Sequence, residues 1–145
     1  MHDREGGLRG SREALPLLLT LSSGVKGFTT IHAGSARQAL TRLRFICQLS
    51  DAANELPMTA LNALVSEAVD VVVHCVRTGE QLRVAEVIAV EELQTAASSF
   101  TTTELFSCPL RTDPLEWTGN IPVRTGRVLE DAGYDLPTLL EGSRT

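Results

Sequence analysis

The chain has 145 residues, 43% of them hydrophobic and 21% charged, with a formal charge of −5. That is the length of one domain with a core of its own, and the acidic balance argues against nucleic acid as the main partner. No apolar run approaches the ~18 residues of a membrane span, residues 1–5 lack a signal-peptide core, and Cys47, Cys75 and Cys108 are odd in number and far apart. These features exclude a disulfide framework or paired-cysteine zinc site and point to buried free thiols in a reducing cytoplasm.

Residues 1–10 are polar and glycine-rich, with no strand expected. A helix follows, with Ser11 as candidate cap and Leu15, Leu18, Leu19 and Ser22 on one side; Pro16 lies too deep for a start at Arg12, so the helix begins near Leu15 or kinks there. Gly24 is a natural stop. Residues 29–32 read as a short strand, with Thr30 and His32 on one face and Thr29 and Ile31 on the other.

Ser35 and Gln38 form a capping box that starts the next helix. Its apolar stripe is Ala36, Ala39, Leu40, Leu43, Ile46 and Cys47, with Arg42 and Arg44 on its shoulders and Phe45 on the far side. After a turn at 51–56, Pro57 opens a helix whose buried side is Met58, Leu61, Leu64, Val65 and Ala68.

The valine-rich run 69–76, interrupted by Asp70 and His74, suits a strand covered on both faces, as in a parallel sheet. Residues 77–80 then turn the chain into 82–90, an antiparallel hairpin partner. Residues 96–103 read as loop or fraying strand and 104–108 as an edge strand. Beyond Pro109 the chain is irregular, with short helices at 127–132 and 137–141 forming a tail packed on the main body.

The stretch T-I-H-A-x-S-A-R-x-A-L-x-R-L, from Thr30 through His32, Ser35, Arg37 and Arg42 to Leu43, resembles the histidine box of the ATPases that drive type II and type IV secretion and Flp/Tad pilus assembly. Leu8-Arg9-Gly10, followed by a leucine-rich helix and Ser23-Gly24, is similar to the family segment that precedes that box. Gly7 stands where the family has a glutamate. Weaker similarity runs through 68–74, 83–90 and the tail, at Pro122-Val123-Arg124 and 132–136.

The resemblance implies an α/β fold, the C-terminal portion of a RecA-like motor domain, with a mostly parallel sheet, an antiparallel addition and a C-terminal tail. Its implied boundaries are 1–107 for the motor part, with family character from about residue 8, and 108–145 for the tail. It also implies ATP and Mg2+ as cofactors, homo-hexameric partner subunits, inner-membrane secretion or pilus platform proteins as further partners, and a place in the cytoplasm at the inner face of the membrane.

The residues carried over are His32, as a group near the γ-phosphate and its attacking water, and Arg9, as a phosphate-facing or interface arginine. Arg37 and Arg42 match the family pattern as cofactor-side arginines, with an interface or internal salt bridge the alternative for Arg42. From its triplet alone, His32 reads first as a helix-cap or core histidine, and Arg9 reads equally as a solvated side chain.

Nucleotide hydrolysis needs G-x-x-x-x-G-K-[ST], and the sole lysine, Lys26, sits in no such frame. No metal-ligand cluster or Ser/His/Asp order offers other chemistry. The expected function is therefore a truncated motor subunit inactive by itself, or else a non-catalytic module or remnant that docks on full-length subunits.

Overall fold

In the computed structural model, which describes residues 10–94, 97–110 and 112–142, three helices precede a four-stranded sheet, and two short helices follow it. The helices are α1 (Ser11–Ser22), α2 (Ala36–Gln48) and α3 (Met58–Ala68), with a single 3-10 turn at Asp51–Ala53 between the last two. The strands are β1 (Val71–Thr78), β2 (Gln81–Val90), β3 (Thr102–Ser107) and β4 (Glu116–Trp117). Helices α4 (Arg124–Asp131) and α5 (Leu136–Glu141) close the described chain.

The sheet corrects the expected architecture. Its order is β1-β2-β3-β4 and every neighbouring pair is antiparallel, so it is not the mostly parallel sheet of a RecA-like portion. Residues 29–32 add no strand, only an isolated bridge at Thr30. The parallel expectation rested on the unbroken valines of 69–76. In place of a strand covered twice, β1 alternates: Val71, Val73 and Cys75 are exposed, while Val72, His74 and Val76 are half-buried. Consecutive valines thus sit on opposite faces, and only one face is packed.

The hairpin between β1 and β2 closes through the two residues after Thr78, which pairs with Gln81. Gly79 takes φ 61°, the positive φ that both two-residue hairpin turns, types I′ and II′, require at their first central position. The pairing shifts between His74 and Cys75, leaving Ala85 of β2 as the extra residue of a bulge. The segment read as loop and edge strand, 96–108, supplies β3, which lies inside the sheet between β2 and β4.

One core joins the helices to the inner face of the sheet. Ala14, Leu15 and Leu18 of α1, Ala36, Leu40, Leu43 and Cys47 of α2, and Leu61 and Val65 of α3 pack with Ile88, Val90 and Phe100. The α2 stripe follows the i, i+3, i+4, i+7 spacing, with Ile46 partly buried and Phe45 exposed on the far side. Helix α1 runs through Pro16 from an N-cap at Gly10, not Ser11, and Leu19 is exposed. In α3 the buried side is Leu61, Asn62, Val65 and Ser66, and Met58 is exposed. Of the three cysteines Cys47 is buried as expected, whereas Cys75 is exposed on the outer face of β1 and Cys108 is half-buried, which corrects the expectation for those two thiols.

Candidate functional site

The histidine segment forms no strand beyond an isolated bridge at Thr30. From Thr30 to Ala33 exposure alternates, with Thr30 and His32 outward and Ile31 and Ala33 half-buried, and Ile31 packs on the core. The expected facing therefore holds for Thr30, Ile31 and His32, whereas Thr29 is exposed like Thr30 and no ladder forms. The segment then enters α2 through Ser35, whose extended backbone and Oγ cap the helix by accepting from Gln38 N at 3.1 Å. The Gln38 side chain folds back over Gly34, where a Cβ would stand 2.6 Å from Gln38 Oε1.

The N-terminus of α2 already holds an anion. Ala36 N donates to Glu86 Oε2 at 2.9 Å, and Glu86 lies opposite His74 on the inner face of the sheet. This contact ties the helix to β2 and places a carboxylate at the positive end of the helix dipole. Arg37, one residue on, is engaged by the β3 region: its guanidinium donates to Phe100 O at 3.1 Å and Thr102 Oγ1 at 3.0 Å. Arg42 is exposed, and five residues of helix turn it about 140° away from Arg37. Arg9 lies outside the described residues.

These positions do not form a nucleotide cradle by themselves. The free amide at the start of α2 is bonded to Glu86, Arg37 is held by protein oxygens, and Arg42 points along a different side of the helix. Among the described residues no group of three or more His, Cys, Asp or Glu is placed to hold a metal ion. The residues present do not fit ATP and Mg2+ as a complete site, and no catalytic step follows from them alone.

Two polar constellations escaped the sequence reading. Asn62, fully buried in α3, accepts from Arg44 Nη1 at 3.1 Å and donates to Ala97 O at 3.2 Å, while Arg44 also lies over the Phe100 ring at 6.0 Å. The signal was an Asn set between the apolar positions Leu61 and Val65 of that helix. The second centres on Glu91, just after β2 and 7% exposed. Its carboxylate accepts from Val123 N at 3.0 Å, Arg124 N at 2.9 Å and Thr103 Oγ1 at 2.7 Å, so it caps α4 from a remote strand. Burial pushes this carboxyl up, but the Arg124 amide, the Thr103 hydroxyl, the Val123 amide and the Arg124 charge together outweigh it and hold it below the ordinary carboxylate value.

Arg124 reaches the other way, donating to Ser66 O and Val69 O at the end of α3 and pairing with Asp70 at 3.3 Å. Beside it opens a cleft of about 670 Å³, lined among others by Lys26, Ser66, Glu67, Asp70, Glu92 and Arg124; His32, Arg37 and Arg42 do not line it. No helix among the described residues is long and apolar enough to cross a membrane. No protein-family model matches the chain, and no curated protein matches it.

Proposed function

We propose that this chain acts as the C-terminal part of a secretion or pilus-assembly ATPase subunit, of the type II/IV and Flp/Tad kind, and that it works only against a P-loop supplied by another polypeptide or another part of the motor. ATP and Mg2+ would then be bound by that other part, and His32 would be presented to them from outside. In this reading the subunit works in the cytoplasm at the inner membrane face, alongside other motor subunits and the platform proteins of the machine.

The observation that carries the reading is the histidine block from Thr30 to Leu43, with its imidazole exposed one turn ahead of a capped, well-anchored helix. The exposure of the approach to that block supports it too. Val25 is exposed, Phe28 is 100% exposed, and residues 25 to 33 form neither helix nor strand, with a single bridge at Thr30, a stretch suited to lying against further protein. A second reading, a non-catalytic module that docks on complete subunits, is favoured by the breadth of apolar exposure: among the described residues eighteen large hydrophobic side chains are exposed.

A graft distinguishes the two. Residues 7–145 carrying Gly7→Glu are joined to a P-loop-bearing front half, and magnesium-dependent ATP hydrolysis is compared with that of the same graft carrying His32→Ala. The motor reading expects an active parent and a rate lower by about tenfold or more in the variant. Equal rates would reduce His32 to a residue of the helix lead-in. An inactive graft that still binds full-length subunits would favour the docking module.

A further inference from the structure

The segment from Pro122 to Glu141 contributes no side chain to the main core cluster. Gly126 of α4 faces Leu136 of α5 and Ile121, whose Cδ2 and Cγ2 would stand 3.6 and 3.9 Å from a Cβ placed there, at ordinary contact distance. Leu136 and Leu140 are buried, yet neither belongs to the core that joins α1, α2, α3 and the sheet. What fastens the segment to the body is a pair of polar grips around one residue. Glu91 holds the first amides of α4, and the Arg124 side chain holds the last carbonyls of α3 together with Asp70.

The junction also carries a cost. Ser66 is 2% exposed, and both its hydroxyl and that of Thr125 are buried with no hydrogen-bond partner among the described residues. One belongs to α3 and the other to α4, and both residues line the cleft between those helices. Buried hydroxyls without partners are destabilising, and parting the helices lets solvent satisfy both. Few apolar anchors, a small number of polar fastenings and unsatisfied groups at the seam are the marks of a unit that opens below the global unfolding energy.

We propose that residues 122–141 form a strap that opens and closes as a unit over α3, with Glu91 and Arg124 as its latch. The core stays folded when the strap lifts, and lifting uncovers the side of α3 that carries Ser66.

Peptide-resolved hydrogen exchange on the full chain tests the unit. In the unmodified protein, peptides covering 122–141 should exchange at least tenfold faster than those of α2 and β2. In Glu91→Gln the strap peptides should speed up by about a further tenfold, with α2 changing less than twofold. Thr103→Val, which removes one fastening of Glu91, serves if the first variant does not fold, with a smaller change in the same direction. Alkylation at Ser66→Cys, read by peptide mass spectrometry, tests the covering and should run about tenfold faster when combined with Glu91→Gln. Strap and core exchanging at one rate, or Glu91→Gln accelerating both alike, would overturn the unit. Slow alkylation at position 66 despite fast strap exchange would overturn the covering.

Discussion

Leu43→Ala probes the packing on which everything else in the molecule is hung. Leu43 is 5% exposed and lies in the centre of the α2 stripe, in the cluster with Leu18, Leu40, Leu61 and Val65. Truncation removes three carbons from a dry site, which at about 0.8 kcal/mol per buried CH₂ is about 2.4 kcal/mol of lost transfer energy. The cavity adds to this because helices pinned on two sides relax little: α2 is tied to β2 by Glu86 and to the β3 region by Arg37. The total should fall between about 2.5 and 5 kcal/mol, a large share of the stability of a domain this size. Urea melts followed by far-ultraviolet circular dichroism measure it as a shift in midpoint at constant slope. A loss under about 0.5 kcal/mol would mean that the α2 stripe does not face a packed core.

Other substitutions probe the polar parts. Asn62→Ala should cost about 1–3 kcal/mol in the same melts, since it leaves Ala97 O and the Arg44 guanidinium without their buried partner; a neutral result would show that solvent reaches the site. Glu91 sits below its ordinary pKa, so its stabilising effect is present above the ordinary carboxylate value and is lost as pH falls through the lowered one. Wild type and Glu91→Gln should accordingly differ in stability at pH 7 and converge in acid, and a constant difference across pH would reject the assignment. Burial raises the Cys47 thiol from about 9.0 to about 11, so its contribution is complete below the lower value and is lost as pH rises towards the upper. At pH 8 a thiol reagent should modify exposed Cys75 quickly and Cys47 only on unfolding; rapid modification of Cys47 in the native protein would contradict its burial.

Helix α2 was the most legible element because it carried two agreeing signals, whereas at α1 the cap and Pro16 pointed to different starts. Around α2 the Ser35 cap and the apolar spacing point to one start and one face, and both are found. The hairpin was legible from Gly79 between two β-branched runs. Strand direction was not, because a run of valines declares a preference for extended backbone without saying which neighbour it pairs with or how many faces are covered. At 29–32 the alternation of Thr30, Ile31, His32 and Ala33 survives in the exposure pattern, but a strand needs a ladder partner, which local sequence does not supply. The candidate site divides in the same way. Position relative to a helix start is local, so the place of His32 could be read, whereas the partners of Arg37 and Ala36 come from residues about 50 to 65 positions away. Glu91 and Arg124 belong to the same class, a contact across 33 residues that only the fold reveals.

The order of strands in the sheet is also their order along the chain. Each strand, once made, finds its neighbour already in place: β2 folds back on β1 after two residues, and β3 returns to β2 after residues 91–101. Closing such short loops costs little chain entropy, and mostly local pairing is the topology that folds fast. The three helices that cover the inner face precede β1 in the chain. A ribosome releasing this polypeptide would therefore deliver the platform first and the sheet strand by strand onto it, so that assembly can proceed from the amino end without waiting for any later segment to arrive.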